Sequence, residues 1–245
     1  MDNHAPAVTR AIRILELLRT TSDPMRLSEV SSKLELVPSS CLHILRALVE
    51  ERFVAFDHKT KRYKLGLGLL PYSADILRHR GFRQVVQPAL DSIGKKYRVT
   101  TFAIERESPL TLVVVAVSDT FRTFDLQVVV GTTFHALASA SGRCVAAQMA
   151  LPAKRRRQVF RELKWQRAPS YEEWVAQIEA VHRDGYGVDI GNFFRGATIV
   201  SVPFGPIESA SRFLAAVGLT EQLSKKTLTD LADALKLEAQ ALAFL

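Results

Sequence analysis

Pro38 stands second in the stretch VPSSCLHILRALVEERF (Val37–Phe53), which limits the possible folds of this chain more than any other feature. Proline has no amide hydrogen to lose at the first position of a helix, and its fixed φ suits that turn. Beyond it, Leu42, Leu45, Leu48 and Val49 recur at helical spacing and form an apolar stripe. Ser39, Ser40, His43 and Arg46 lie off the stripe, near the start of the helix. One side is therefore built for seating and the other for meeting something. Upstream, AVTRAIRILELLRT (Ala7–Thr20) carries a helical apolar period, and SDP (Ser22–Pro24) breaks it. LSEVSSKL (Leu27–Leu34) reads as a short second helix with Ser28 as its N-cap, followed by a tight connection at Glu35–Val37. After Glu51, RFVAF and RYKLG alternate around a polar basic turn, DHKTK, as two strands of a hairpin. Three helices with a tight turn between the second and third, then a hairpin, describe a winged helix-turn-helix ending near Gly66.

In such a domain the second helix of the motif enters the major groove by its N-terminal residues. Ser39, Ser40 and His43 fall there, Ile44 is placed to touch a thymine methyl, and Arg46 suits a phosphate. The turn residues Lys59, Lys61 and Arg62 would follow the neighbouring backbone. Charge agrees with this reading. Residues 52–64 hold five basic side chains against one acid, a net of +4, in a chain whose formal net charge is +8. A basic balance permits binding to nucleic acid or to anionic surfaces, and the local excess beside the helix favours nucleic acid. Singly, each serine or lysine is equally a helix start or a soluble loop; the constellation points to DNA. A second basic run, KRRR (Lys154–Arg157), reads as a solvated helix face.

The remaining chain is mixed. A helical region from Leu67 to about Tyr97 is followed by strands at Thr100–Glu105, Leu110–Val117, Phe121–Val128, Thr198–Phe204 and Arg212–Leu219. Helices are expected at Ser139–Met149, at Tyr171–Asp184 between a Ser170 cap and Gly185, and along the C-terminal SKKTLTDLADALKLEAQALAFL. The 245 residues suffice for two modest domains, so the expected class is α+β with boundaries at 1–66, 67–81 and 82–245. The two cysteines, Cys41 and Cys144, have no metal-ligand spacing around them and fit free thiols in a reducing compartment. No signal-peptide pattern and no membrane-length apolar run occurs, so a cytoplasmic location is expected. No residue pattern calls for a cofactor or metal.

Over nearly its whole length the sequence resembles the IclR family of bacterial transcriptional regulators. The segments that carry the likeness are AVTRAIRILELL, RLSEVSSKLELVPSSCLHILRALVEERFV and RYKLGLGLL, then GTTFHALASASGRCVAA, RDGYGVDIGNFFRGATIVSVPF and FLAAVGL. Their order and spacing are more specific than any one of them. The resemblance implies a winged helix-turn-helix, a linker helix and a GAF-like α/β effector-binding domain. It also implies a homodimer, often a dimer of dimers, on a double-stranded DNA operator, controlled by a small organic acid. Carried over by position, the effector pocket includes Ala140, Ser141, Asp189, Ile199, Ser201, Gly218 and Thr220. The amides of Ala140 and Ser141 open a helix and suit a carboxylate. The chain also departs from the family pattern. Ile44 stands where an arginine is frequent, and Gly218, Thr220 and Ile199 replace positions that are often more polar. With Phe193 and Phe194 these departures imply a roomier, less polar pocket and an aromatic or otherwise bulky acid; Arg195 is a candidate partner for its carboxylate, the alternative being a solvated loop arginine. An enzyme is disfavoured, because Ser141 lacks a nucleophile elbow and no nucleotide or zincin pattern occurs. A C-terminal domain serving only as an oligomerisation scaffold is the alternative to a sensor.

Overall fold

The computed structural model describes residues 5–21, 23–72, 81–119, 128–149 and 151–242. The strand expected at Phe121–Val128 and most of the linker helix expected at 67–81 lie outside them. The chain divides into two compact units, Met1–His79 and Arg80–Leu245.

In the first unit, α1 (Pro6–Thr20), α2 (Leu27–Lys33) and α3 (Pro38–Glu50) pack on a small antiparallel sheet. The sheet order is β1 (Met25–Arg26), β3 (Arg62–Leu65), β2 (Val54–Asp57). Pro38 does occupy the first turn of α3. The buried face of α3 is Cys41, Leu45 and Leu48, with Val49 partly buried beside them, packed against Ile14 and Leu18 of α1, Val30 of α2, and Val54 and Tyr63 of the hairpin; Leu42, placed on the stripe from its spacing, is half-buried and lies outside this cluster. Two details differ from the sequence reading. Ser28 is not the cap of α2; the helix starts one residue after Arg26, whose backbone N–H donates to the Glu29 carboxylate at 2.5 Å. β1 is an additional strand, two residues long, and it exists only by pairing Met25 with Tyr63 and Arg26 with Arg62. The chain leaving β3 returns against the base of the hairpin, where a Cβ on Gly66 would sit 2.2 Å from the Arg52 carbonyl oxygen. Only glycine fits there.

The second unit is built in three layers around a six-stranded antiparallel sheet of order β6-β5-β4-β9-β8-β7. In chain order its elements are α4 (Gly81–Tyr97), β4 (Thr100–Ser108), β5 (Thr111–Val117), β6 (Thr133–His135), α5 (Ser139–Gln148), α6 (Ala153–Glu162) and α7 (Tyr171–Asp184). They continue with β7 (Gly187–Ile190), β8 (Ala197–Pro203), β9 (Arg212–Leu219) and α8 (Lys225–Leu242). One face of the sheet, with Phe102, Ile104, Leu112, Ile199, Phe213 and Val217, packs on α5, α6 and α7. The other, with Ala103, Val200, Val202, Leu214 and Ala216, packs on α4 and α8. Covering both faces makes β5 and β9 read as near-continuous apolar runs rather than alternating ones. α7 has the expected ends: Ser170 and Glu173 exchange side-chain-to-backbone hydrogen bonds, and Gly185 closes the helix at φ 74°. Among the described residues no helix is long and apolar enough to cross a membrane.

Candidate effector cavity and nucleic-acid face

At the start of α3, Ser39, His43 and Arg46 are exposed and Ser40 is half-buried. Ile44 is half-buried as well, packed in part against the core of the unit. At the hairpin tip the Asp57 carboxylate accepts the backbone N–H groups of Lys59 and Thr60. That turn leaves the side chains of Lys59 and Lys61 exposed. Arg62 has a different place from the one its sequence position suggests. Its Nη1 donates to the Pro24 carbonyl at 2.6 Å and lies 3.5 Å from the Glu29 carboxylate, so the side chain ties the hairpin to β1 and α2. The exposed set of Ser39, His43, Arg46, Lys59 and Lys61 offers small polar groups on a helix start and cations on a nearby turn, the chemistry of groove and phosphate contact.

In the second unit, a cavity of about 360 Å³ opens on the face of the sheet that carries α5. Its floor is Phe102 of β4, Ile199 of β8 and Val217 of β9. Val128, Thr132, Thr133 and Phe134 form one wall, Phe193 and Phe194 of the β7–β8 loop another, and Ser139 sits where α5 begins. Phe193 meets Phe134 at 6.1 Å and Phe194 at 4.6 Å between ring centroids. The site is thus an aromatic slot with a few hydroxyls and a helix N-terminus, suited to a flat apolar body with an anionic end.

The sequence-chosen pocket residues scatter around this slot. Ile199 lines it. Ala140 is fully buried beside it, and Ser139, one residue earlier, is the α5 residue that reaches the cavity. Ser141 donates to Ser201 across the helix–sheet interface at 2.9 Å, and both are buried. Gly218 and Thr220 lie away from the cavity. Strand side chains alternate, so Val217 faces the slot while a Cβ on Gly218 would meet Val99 and Leu223 on the other face. Thr220 pairs with Thr198 at 3.0 Å on that same far side. Arg195 is exposed on the loop, its backbone N–H held by the Gln166 side chain. Asp189 is fully buried, and its Oδ1 accepts the backbone N–H groups of Asn192 and Phe193 at 3.1 and 2.9 Å.

The residue that sequence reasoning missed is Arg143, third after Ala140 on α5 and fully buried. Its Nε and Nη2 both donate to the Gln177 side-chain oxygen, and its Nη1 donates to the Ser139 carbonyl at 2.8 Å. Nη2 also lies 2.9 Å from Asp189 Oδ2, an ion contact that lacks hydrogen-bond geometry. The Trp165 ring covers the guanidinium at 5.0 Å. Burial pulls the Arg143 pKa down, and the charge of Asp189 opposes that pull. Cys144 beside it is buried and its thiol is pushed up to about 12 by desolvation; Cys41 is buried in the first unit and shifted the same way. Neither thiol has the exposed, lowered-pKa setting of a reactive cysteine.

Comparison with known proteins matches this architecture. Residues 7–58 match the IclR helix-turn-helix domain. The chain is similar to an IclR transcriptional regulator from Alicyclobacillus acidocaldarius at 25% identity and TM-score 0.82, with 98% of each chain covered. It is also similar to the IclR of Thermotoga maritima at 20% identity and TM-score 0.74, again covering 98% of each. A third is an IclR homologue from Microbacterium hydrocarbonoxydans, complexed with 4-hydroxybenzoate, at 18% identity and TM-score 0.77, covering 97% of this chain and 98% of that one. No curated protein sequence matches the chain. Residues 7–58 thus carry an IclR helix-turn-helix domain, and nearly the whole chain shares the fold of solved IclR transcriptional regulators.

Proposed function

We propose that the protein is a cytoplasmic, ligand-responsive regulator of a catabolic operon, acting as a homodimer or a dimer of dimers on a double-stranded DNA operator. Residues 1–66 bind DNA, 67–81 link, and 82–245 bind the effector and oligomerise. The effector is an aromatic acid. The observation that carries this choice is the slot walled by Phe102, Phe134, Phe193 and Phe194, with Ser139 at the start of α5. Four rings and about 360 Å³ suit a benzene-sized body far better than a two- or three-carbon acid. The 4-hydroxybenzoate bound by the Microbacterium relative supports the same class. Effector binding shifts the equilibrium between arrangements of the two DNA-binding domains in a dimer.

Calorimetric titration with benzoate and 4-hydroxybenzoate, against pyruvate and glyoxylate, tests the reading. Binding of the aromatic acids alone is expected; tight binding of pyruvate or glyoxylate with none of the aromatic acids overturns it.

Ile44→Arg is expected to keep the fold, because an arginine stem can cover the core surface that Ile44 half-buries while its head reaches out. Relative affinities across a library of operator variants should change by about 1–3 kcal/mol at the base pair read. Identical rankings before and after the substitution would show that position 44 does not face the bases.

A further inference from the structure

We propose that Arg143 is a positioning residue for the effector cavity: its one buried guanidinium fixes two separate walls of the slot. The first wall is the start of α5. Ser139 lines the cavity in a left-handed backbone conformation, φ 64°, which a residue with a Cβ adopts only when its surroundings impose it. The Arg143 Nη1 donor on the Ser139 carbonyl supplies that hold. The second wall is the loop between β7 and β8. It is bounded by two glycines at positive φ, Gly191 at 68° and Gly196 at 78°, and its outer side is bonded to the Gln166–Arg167 segment through Asn192 and Arg195. On its inner side Asp189 holds it through the amides of Asn192 and Phe193, the residue that lines the cavity, and Asp189 is itself held by the Arg143 charge.

Folding alone does not call for this arrangement. A buried cation is costly to desolvate, and an apolar side chain of similar volume fills such a space at least as well. What a guanidinium adds is a rigid fork that reaches several acceptors at fixed angles. Here the fork spans Ser139, Gln177 and Asp189, which lie on α5, α7 and β7, and it is braced by Trp165. Asp189 thereby acts on the cavity through the loop it caps rather than by touching the ligand.

The inference uses the proposed effector site for its ligand arm only. Amide hydrogen exchange would be measured for the full chain as wild type, Arg143→Met, Arg143→Lys and Leu235→Ala. Leu235 is fully buried on the opposite side of the sheet, so its truncation reports general destabilisation. Protection of the Asn192 and Phe193 amides should fall about tenfold or more in Arg143→Met, beyond the fall in Leu235→Ala. Arg143→Lys, which keeps the charge and loses the fork, should lie between and decides the matter if the methionine variant does not fold. Benzoate should bind about tenfold more weakly to Arg143→Met and not to Leu235→Ala. Protection at 192 and 193 equal to that of wild type or of the Leu235 control overturns the inference, as does unchanged benzoate affinity in both Arg143 variants. If wild type binds no benzoate, the effector assignment falls and the exchange result alone decides the role of Arg143.

Discussion

Gly142→Ala is expected to destabilise the C-terminal unit by about 3 kcal/mol or more, the upper range for overpacking a closed site. A single methyl at this position would sit 2.2 Å from the Leu137 carbonyl carbon and 2.6 Å from its oxygen. Both are backbone atoms, so no side chain can rotate aside. α5 would have to back away from the turn that precedes it, and it has nowhere to go. Every residue from Ser139 to Ala146 is buried. Ser141 is bonded to Ser201 of β8, and the Arg143 fork is committed on three sides. The substitution therefore acts on stability and on the cavity together, since Ser139 lies between the clash and the slot. A urea midpoint within error of wild type would show that the turn at Leu137 yields more easily than the geometry implies.

Leu45→Ala should have a comparable effect on the N-terminal unit. Leu45 is fully buried at the centre of α3, where the helix meets α1, α2 and the hairpin. Truncating such a leucine costs about 2–5 kcal/mol, transfer and cavity terms combined. A unit of this size buries only about 60% of its unfolded surface and has little stability in reserve. The expected result is loss of the ordered helix α3, and with it loss of the proposed DNA binding, measured on a duplex fragment at low salt, where phosphate contacts weigh most. Binding at wild-type strength by the folded-looking variant would mean that α3 is held by contacts other than its apolar stripe.

Much of the fold was legible because the signals are local. Pro38, the period of the stripe on α3, and the Ser170–Glu173–Gly185 punctuation of α7 are each decided within a few neighbouring residues. The strands expected at Thr100–Glu105, Leu110–Val117 and Arg212–Leu219 are found at Thr100–Ser108, Thr111–Val117 and Arg212–Leu219. What escaped was decided at a distance. β1, β6 and β7 span two to four residues, too short for any period, and pair only because the rest of the sheet is in place. The site was half legible for the same reason. Phe193, Phe194 and Ile199 were marked as pocket-forming from their position, and they do line one cavity. Gly218 stands on the strand that lines the cavity but on the far side of its pleat, a distinction that needs the register of β8 on β9. Arg143 gave no signal at all. An arginine in a small-residue helix reads as a solvated charge, and only the approach of Gln177, Asp189 and Trp165 from three other segments puts it inside.

The strand order carries a consequence in time as well as in space. The middle of the large sheet is the pair β4–β9, which joins Thr100 to Val217 from opposite ends of the second unit. Loop closure on that scale comes late and slowly, and the partner strand must first exist. The small sheet of the first unit needs nothing beyond Leu65. On a ribosome the winged domain can therefore be finished while the larger unit still lacks its central strand. A chain that stops before Arg212 carries a complete DNA reader attached to exposed apolar strands, a product the cell has reason to degrade before it can occupy an operator.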